Sequence, residues 1–144
     1  MKKLLLIAAC LALTAGAAHA GEIKGKGGKC IDIPNGNAKA GVKVQYYTCD
    51  GSPEQSWSVS PEGVITGKGG LCLDVPDGNT ADGTKIQIWT CDGSPEQKWM
   101  YLQGTLRTQK GGKCLDLPDG KTADGTPIQL WKCDDSPEQQ WTVN

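Results

Sequence analysis

Gln87 and Trp89 stand two residues apart in the alternating run Ile86-Gln87-Ile88-Trp89. Alternate side chains of an extended strand share a face. The amide and the indole therefore project on one side, and Ile86 and Ile88 on the other. With the isoleucines inward, Gln87 and Trp89 point outward together. The same pair returns as Gln45 and Tyr47, and as Gln129 and Trp131. Neither group breaks bonds. A flat ring covers an apolar C–H face, and an amide both donates and accepts hydrogen bonds. This is recognition chemistry, and it suits a pyranose, which has an apolar face and an equator of hydroxyls. Scattered surface aromatics or a protein interface are the plainer readings. Three aromatics at one repeat position, each two residues after a glutamine, weigh against chance.

The element that carries these pairs is a repeat. Gly70 to Trp99 reads GLCLDVPDGNTADGTKIQIWTCDGSPEQKW, and it occurs three times. Cys72 has counterparts at Cys30 and Cys114, each 42 residues away, and Cys91 has them at Cys49 and Cys133. The ending Gln97-Lys98-Trp99 recurs as Gln55-Ser56-Trp57 and Gln139-Gln140-Trp141, with no insertion or deletion between copies. A fixed period of this length marks one supersecondary unit that buries its apolar face against its neighbours.

Glycine and proline punctuate the copy too often for a long helix. Leu73 and Val75 alternate with Cys72 and Asp74, which predicts a strand. Pro76-Asp77-Gly78 and Asp82-Gly83 read as turns. Ser94-Pro95-Glu96-Gln97 reads as a single helical turn, with Ser94 capping, Pro95 in first position and Gln97 reaching back. Lead-in strands are expected at Glu22-Ile23-Lys24, Val64-Ile65-Thr66 and Thr105-Leu106-Arg107. Four strands per copy give an all-β chain of twelve strands. Three copies are too few for a propeller, which takes typically 4–8 blades. Trp57, Trp99 and Trp141, one per copy, are assigned to the core.

Residues 1–20 read as a cleaved signal peptide. Lys2 and Lys3 start it, Leu4 to Leu13 form a short apolar run, and Ala18-His19-Ala20 is the cleavage site. The run is too short to span a bilayer. Ile7-Ala8-Ala9-Cys10 resembles a lipid-attachment box, but only six apolar residues precede Cys10. The expected fate is secretion, extracellular or periplasmic, with residues 21–144 as one domain. Removing two lysines from a chain of net charge −1 leaves −3, and no basic stripe suits nucleic acid. Phenylalanine is absent from the sequence. The six remaining cysteines of an exported chain point to disulfides, and six allow 15 pairings. Repetition leaves two natural sets, within each copy or across neighbours. The within-copy set, Cys30–Cys49, Cys72–Cys91 and Cys114–Cys133, is the more local and is favoured.

Other chemistries fit poorly. The one histidine, His19, lies in the signal segment, so no histidine-based triad forms. Asp74 with Glu96 could in principle cleave a glycoside, but three equivalent shallow sites argue against an enzyme. A calcium loop wants ligands at its third and fifth positions, where the stretch from Asp74 places Pro76 and Gly78. No metal or other cofactor is expected.

Three copies of Cys-Leu-Asp-Val, Ile-Gln-Leu-Trp and Gln-x-Trp at this spacing resemble the ricin B-type lectin domain across the whole of residues 21–144. The resemblance implies a β-trefoil with pseudo-threefold symmetry: a six-stranded barrel capped by three hairpins. It also implies binding of galactose-type or xylan-type sugars in up to three shallow pockets. By resemblance the first pocket holds Asp32, Gln45, Tyr47, Glu54 and Gln55. The second holds Asp74, Gln87, Trp89, Glu96 and Gln97, and the third Asp116, Gln129, Trp131, Glu138 and Gln139. Glutamate stands in all three where the family has asparagine, and a carboxylate accepts but does not donate. Copy one departs further, with Asn35, Ala40 and Tyr47. For Gln55, Gln97 and Gln139 a structural capping role is favoured over sugar contact. The expected partner is a glycan or polysaccharide. The rival expectations are a subunit that docks a partner protein in trans, and a trefoil protease inhibitor.

Overall fold

The computed structural model describes residues 20–144, so the expected signal segment lies outside the described residues except for Ala20. Copy one runs through β1 (Ile23–Lys24), β2 (Cys30–Asp32), β3 (Gln45–Tyr47) and β4 (Ser58–Val59). Copy two supplies β5 (Ile65–Thr66), β6 (Leu71–Asp74), β7 (Gln87–Thr90) and β8 (Trp99–Leu102). Copy three supplies β9 (Thr105–Thr108), β10 (Cys114–Asp116), β11 (Thr126–Pro127), β12 (Gln129–Trp131) and β13 (Thr142–Val143). The helical content among the described residues is single 3₁₀ turns, and no helix there is long and apolar enough to cross a membrane.

Six strands close a barrel. β1 pairs with β13, β4 with β5, and β8 with β9, all antiparallel. Bridges Gly21–Trp57 and Val64–Lys98 join these pairs, and the Trp141 N–H donates to the Gly104 carbonyl at 2.7 Å. Closure removes the free sheet edges that invite aggregation. The hairpins β2–β3, β6–β7 and β10–β12 cap the barrel. This is the all-β, threefold-repeated architecture that the sequence led us to expect.

The core is built in threefold sets. Ile31, Leu73 and Leu115 form one, and Ile33, Val75 and Leu117 another. Val44, Ile86 and Ile128 follow, then Tyr46, Ile88 and Leu130. Ile23, Ile65 and Leu106 line the barrel beside Trp57, Trp99 and Trp141. Each tryptophan Nε1–H donates to a carbonyl of its own copy: Trp57 to Ile31, Trp99 to Leu73 and Trp141 to Leu115, at 3.0 to 3.1 Å. The indoles thus satisfy their one polar atom while buried. At Gly67 an added Cβ would lie 2.5 Å from the Trp57 ring, so this residue lets the chain pass close over the indole.

The disulfides join Cys30 to Cys49, Cys72 to Cys91 and Cys114 to Cys133, with Cα–Cα distances of 5.1 to 5.2 Å. Each links the start of the second strand of a copy to the end of the third, where Cys72 pairs with Trp89 in register and Cys91 follows β7. On the chain-entropy view such a loop is worth roughly 3 kcal/mol.

Three expectations are corrected. Among the described residues there are thirteen strands, because Thr126–Pro127 forms a two-residue ladder with β3, where Lys43 and Lys85 make single bridges. Ser94 makes no side-chain capping bond; Gln97 Oε1 does reach back, accepting from the Asp92 N–H at 2.9 Å. The copies are not free of insertions and deletions. Arg107 pairs with Cys114, whereas Thr66 pairs with Cys72, so copy three is one residue shorter before this pair and one longer after it. The cause is the two-residue turn Gln103-Gly104, both at positive φ (51° and 80°), which suits a tight hairpin.

Candidate functional site

The second repeat shows the construction. In register, Asp74 of β6 lies opposite Gln87 of β7, and Cys72 opposite Trp89. Directly opposed side chains of an antiparallel pair meet. Gln87 Nε2–H donates to Asp74 Oδ1 at 2.9 Å, and Gln97 Nε2–H donates to Asp74 Oδ2 at 3.0 Å. Gln97 also donates to the Thr90 carbonyl at 2.8 Å and is itself buried. It lies behind Asp74 and ties the Pro95–Gln97 turn to the strand. The Val75 N–H donates to the Glu96 carbonyl at 3.1 Å, which fixes the same turn from the other side.

The result is an open hollow of about 400 Å³. Asp74 and Gln87 form its floor, Trp89 one wall, and Pro76, Asp77, Asp92 and Glu96 the rim. Trp89 is 43 % exposed. Gln87 shares its face, as expected, but it is buried rather than outward. The third repeat matches bond for bond. Gln129 and Gln139 donate to the two oxygens of Asp116, each at 2.9 Å. Its hollow of about 430 Å³ is lined by Asp116, Gln129, Trp131, Asp119, Asp134 and Glu138 among others. In the first repeat Gln45 and Gln55 hold Asp32 in the same way, at 2.8 and 2.9 Å, beside the exposed Tyr47.

Burial pushes the carboxyls of Asp32, Asp74 and Asp116 above the ordinary Asp value of 3.8. The two glutamine amides oppose this in each copy, and the neighbouring carboxylates add to it; for Asp74 these are Asp92 and Glu96. Desolvation wins because each aspartate is only 4 % exposed.

Several residues were missed in the sequence. Lys43 and Lys85 reach into the hollow of the following copy, where Lys43 Nζ donates to Gln87 Oε1 at 3.1 Å and Lys85 Nζ to Gln129 Oε1 at 3.0 Å. The one available signal was their shared repeat position, where copy three has Pro127. The glutamates face lysines of the next copy. Lys68 Nζ is 3.9 Å from Glu54 Oε2 and donates to the Gly36 carbonyl at 3.0 Å. Lys110 with Glu96, and Lys26 with Glu138, flank Gly78 and Gly120 in the same way. The Glu54 carboxylate therefore meets a cation, and Glu96 and Glu138 have a lysine across the neighbouring glycine. Asp82 and Asp124 stitch copies together: Asp124 accepts from the Thr48 backbone N–H at 2.9 Å, and Asp82 accepts from that of Lys132 at 2.9 Å.

Residues 19–141 match the family model of the ricin-type beta-trefoil lectin domain. The chain belongs to the ricin-type β-trefoil lectin family. Solved structures share the fold. A designed threefold-symmetric protein, ThreeFoil, is 25% identical, with 83% of this chain and 94% of that one covered and a TM-score of 0.78. The C-half of the earthworm R-type lectin, in complex with GalNAc, is 22% identical over 88% of this chain and 97% of that one, with a TM-score of 0.75. An exo-beta-1,3-galactanase from Clostridium thermocellum is 26% identical at a TM-score of 0.79; 88% of this lectin-family chain covers only 30% of that enzyme. Among curated proteins no sequence matches. Membership supports carbohydrate binding, and the fold is typically a binding one rather than a catalytic one.

Proposed function

We propose that this chain is a secreted, non-enzymatic lectin that binds galactose-type or xylan-type sugars through up to three shallow pockets. The observation that carries the proposal is the repeated pairing of an exposed ring, Trp89 or Trp131, with a buried carboxylate–amide floor. The ring covers the apolar face of a pyranose. The Asp74 and Asp116 oxygens each retain accepting capacity beyond their one amide bond, and adjacent sugar hydroxyls supply donors. Glu54, Glu96 and Glu138 add acceptors at the rim. Gln55, Gln97 and Gln139 act behind the floor, holding the aspartates in place.

A glycan array with the purified protein tests this directly, with GalNAc, galactans and xylans as the first probes. Binding to none of these, by a protein that is folded, would sink the proposal. Binding is expected to survive a chelator, since carboxylate, amide and indole groups supply all the contacts; loss of binding in EDTA by a folded protein would count against this site.

Acid should weaken binding. The pocket aspartates accept hydrogen bonds at both oxygens only when ionised, and their carboxyls are held above 3.8 by burial. Retention is therefore complete well above that value and falls as pH drops through the raised pKa. The expected midpoint of a retention-versus-pH curve lies above 3.8. A midpoint below it would show that the buried aspartates do not face the ligand.

A second reading, docking of a partner protein in trans, draws on one asymmetric feature. Met100, Tyr101 and Leu102 on β8 are exposed, where copy one has Ser58, Val59 and Ser60. If this reading holds, Met100→Ser with Leu102→Ser removes a co-purifying protein and leaves glycan retention intact. A partner retained by that variant rules the strip out.

A further inference from the structure

We infer that Lys43 and Lys85 are ligand-binding residues, each donated by one repeat to the pocket of the next, and that Pro127 deprives the first pocket of this contact. The inference rests on the sugar-binding reading above and deepens it.

Backbone pairing explains the reach. Lys43 bridges Gln87, and Lys85 bridges Gln129, so each lysine stem starts beside the glutamine of the following copy. Each ammonium then donates to the Oε1 of that glutamine, at 3.1 and 3.0 Å. Both lysines line the hollow itself, alongside Trp89 and Trp131 respectively. An ammonium carries three donors, and the glutamine takes one. Two N–H groups remain for an acceptor in the hollow.

The contact also settles the amide. Gln87 presents its oxygen to Lys43 and its NH₂ to Asp74. Turning the amide over would set NH₂ against the ammonium and oxygen against the carboxylate, so both neighbours select one orientation. In the first pocket Pro127 pairs with Gln45 and offers no donor, leaving Asp32 alone to hold the amide. The differences go together. Where the lysine is absent, the turn carboxylate that lines the other two hollows as Asp77 or Asp119 is also replaced, by Asn35.

The chemistry recognised is a pair of neighbouring hydroxyls on a neutral sugar. One accepts from the ammonium and the other donates to the aspartate floor. An anionic sugar fits less well, because Asp74, Asp77, Asp92 and Glu96 surround the single ammonium of Lys43 in the second hollow.

The test is retention on immobilised galactan and on immobilised xylan, with thermal melting of every variant. Lys43→Met with Lys85→Met should weaken retention by about tenfold or more, the factor of one hydrogen bond to a charged group. Its melting temperature should match that of the parent, and Lys43→Arg with Lys85→Arg should keep most of the retention. The converse variant adds the contact. Pro127→Lys, placed in a Trp89→Ala, Trp131→Ala background that leaves only the first pocket, should raise retention by about tenfold. If the parent is retained but the lysine-to-methionine pair leaves retention unchanged, or Pro127→Lys leaves it unchanged in its own background, this inference alone is overturned. A parent retained on neither polymer overturns the sugar-binding reading and this inference with it.

Discussion

Replacing Trp89 and Trp131 together by alanine is expected to cut retention on an immobilised polysaccharide by about 10²–10⁴-fold while leaving the melting temperature nearly unchanged. The pockets are open and make few contacts, so each alone should bind a monosaccharide weakly. A dissociation constant near 1 mM corresponds to about −4 kcal/mol. The pseudo-threefold arrangement points the pockets in different directions, so no short ligand bridges them. A polymer or a glycan-coated surface can bridge them, and linked binding multiplies avidity without new contacts. The second and third pockets should dominate, because a tryptophan offers more stacking area than Tyr47. Single replacements should cost little and the double replacement much. The rings are 43 % and 37 % exposed and lie outside the core, so their loss opens no cavity. Aspartate replacements are a poorer probe: Asp74→Ala would also strip the acceptor from Gln87 and Gln97 and so disturb the fold. If Tyr47→Ala alone abolishes retention, one site does all the binding and the multivalent reading fails.

Trp99→Ala should destabilise the domain by about 3–5 kcal/mol, a large share of the roughly 5–15 kcal/mol that holds a typical domain. Trp99 is 2 % exposed within the core cluster, and its Nε1–H is bonded to the Leu73 carbonyl at 3.1 Å. Alanine leaves a cavity and an unpaired buried carbonyl. Urea or thermal unfolding measures the loss, with Trp89→Ala as the control on the same instrument. Should Trp89→Ala unfold the protein and Trp99→Ala spare it, the inside and outside of these strands are reversed.

Much of this was legible in the chain. The alternation in Ile86-Gln87-Ile88-Trp89 placed the isoleucines inward and the ring outward, because a strand has a side-chain period of two. The repeated Gln-x-Trp placed three tryptophans in one environment. The cysteine spacing favoured pairing within copies, and the structure has that pairing. Alternation did not reveal that Gln87 is buried. A capped barrel covers both faces of its hairpins, and the amide is enclosed by Asp74 and Lys43 rather than by apolar groups. The compensating one-residue shifts in copy three were hidden because cysteine and tryptophan spacing is unchanged by them.

The sequence by itself determined the repeat, the class of fold, the core tryptophans and the exposed aromatic of each copy, since each follows from local period or identical position. Only the tertiary structure decided what stands across a repeat boundary. Lys43 meets Gln87, Lys68 faces Glu54, and Asp82 holds Lys132. The first and last of these pairs lie 44 and 50 residues apart along the chain, and no local pattern couples any of the three. They meet because β1 pairs with β13 and the bridges close the ring, which brings the edge of each copy against the next. Closure brings a lysine of the preceding copy to the second and third hollows, and the first differs because Pro127 stands there with no amine to lend.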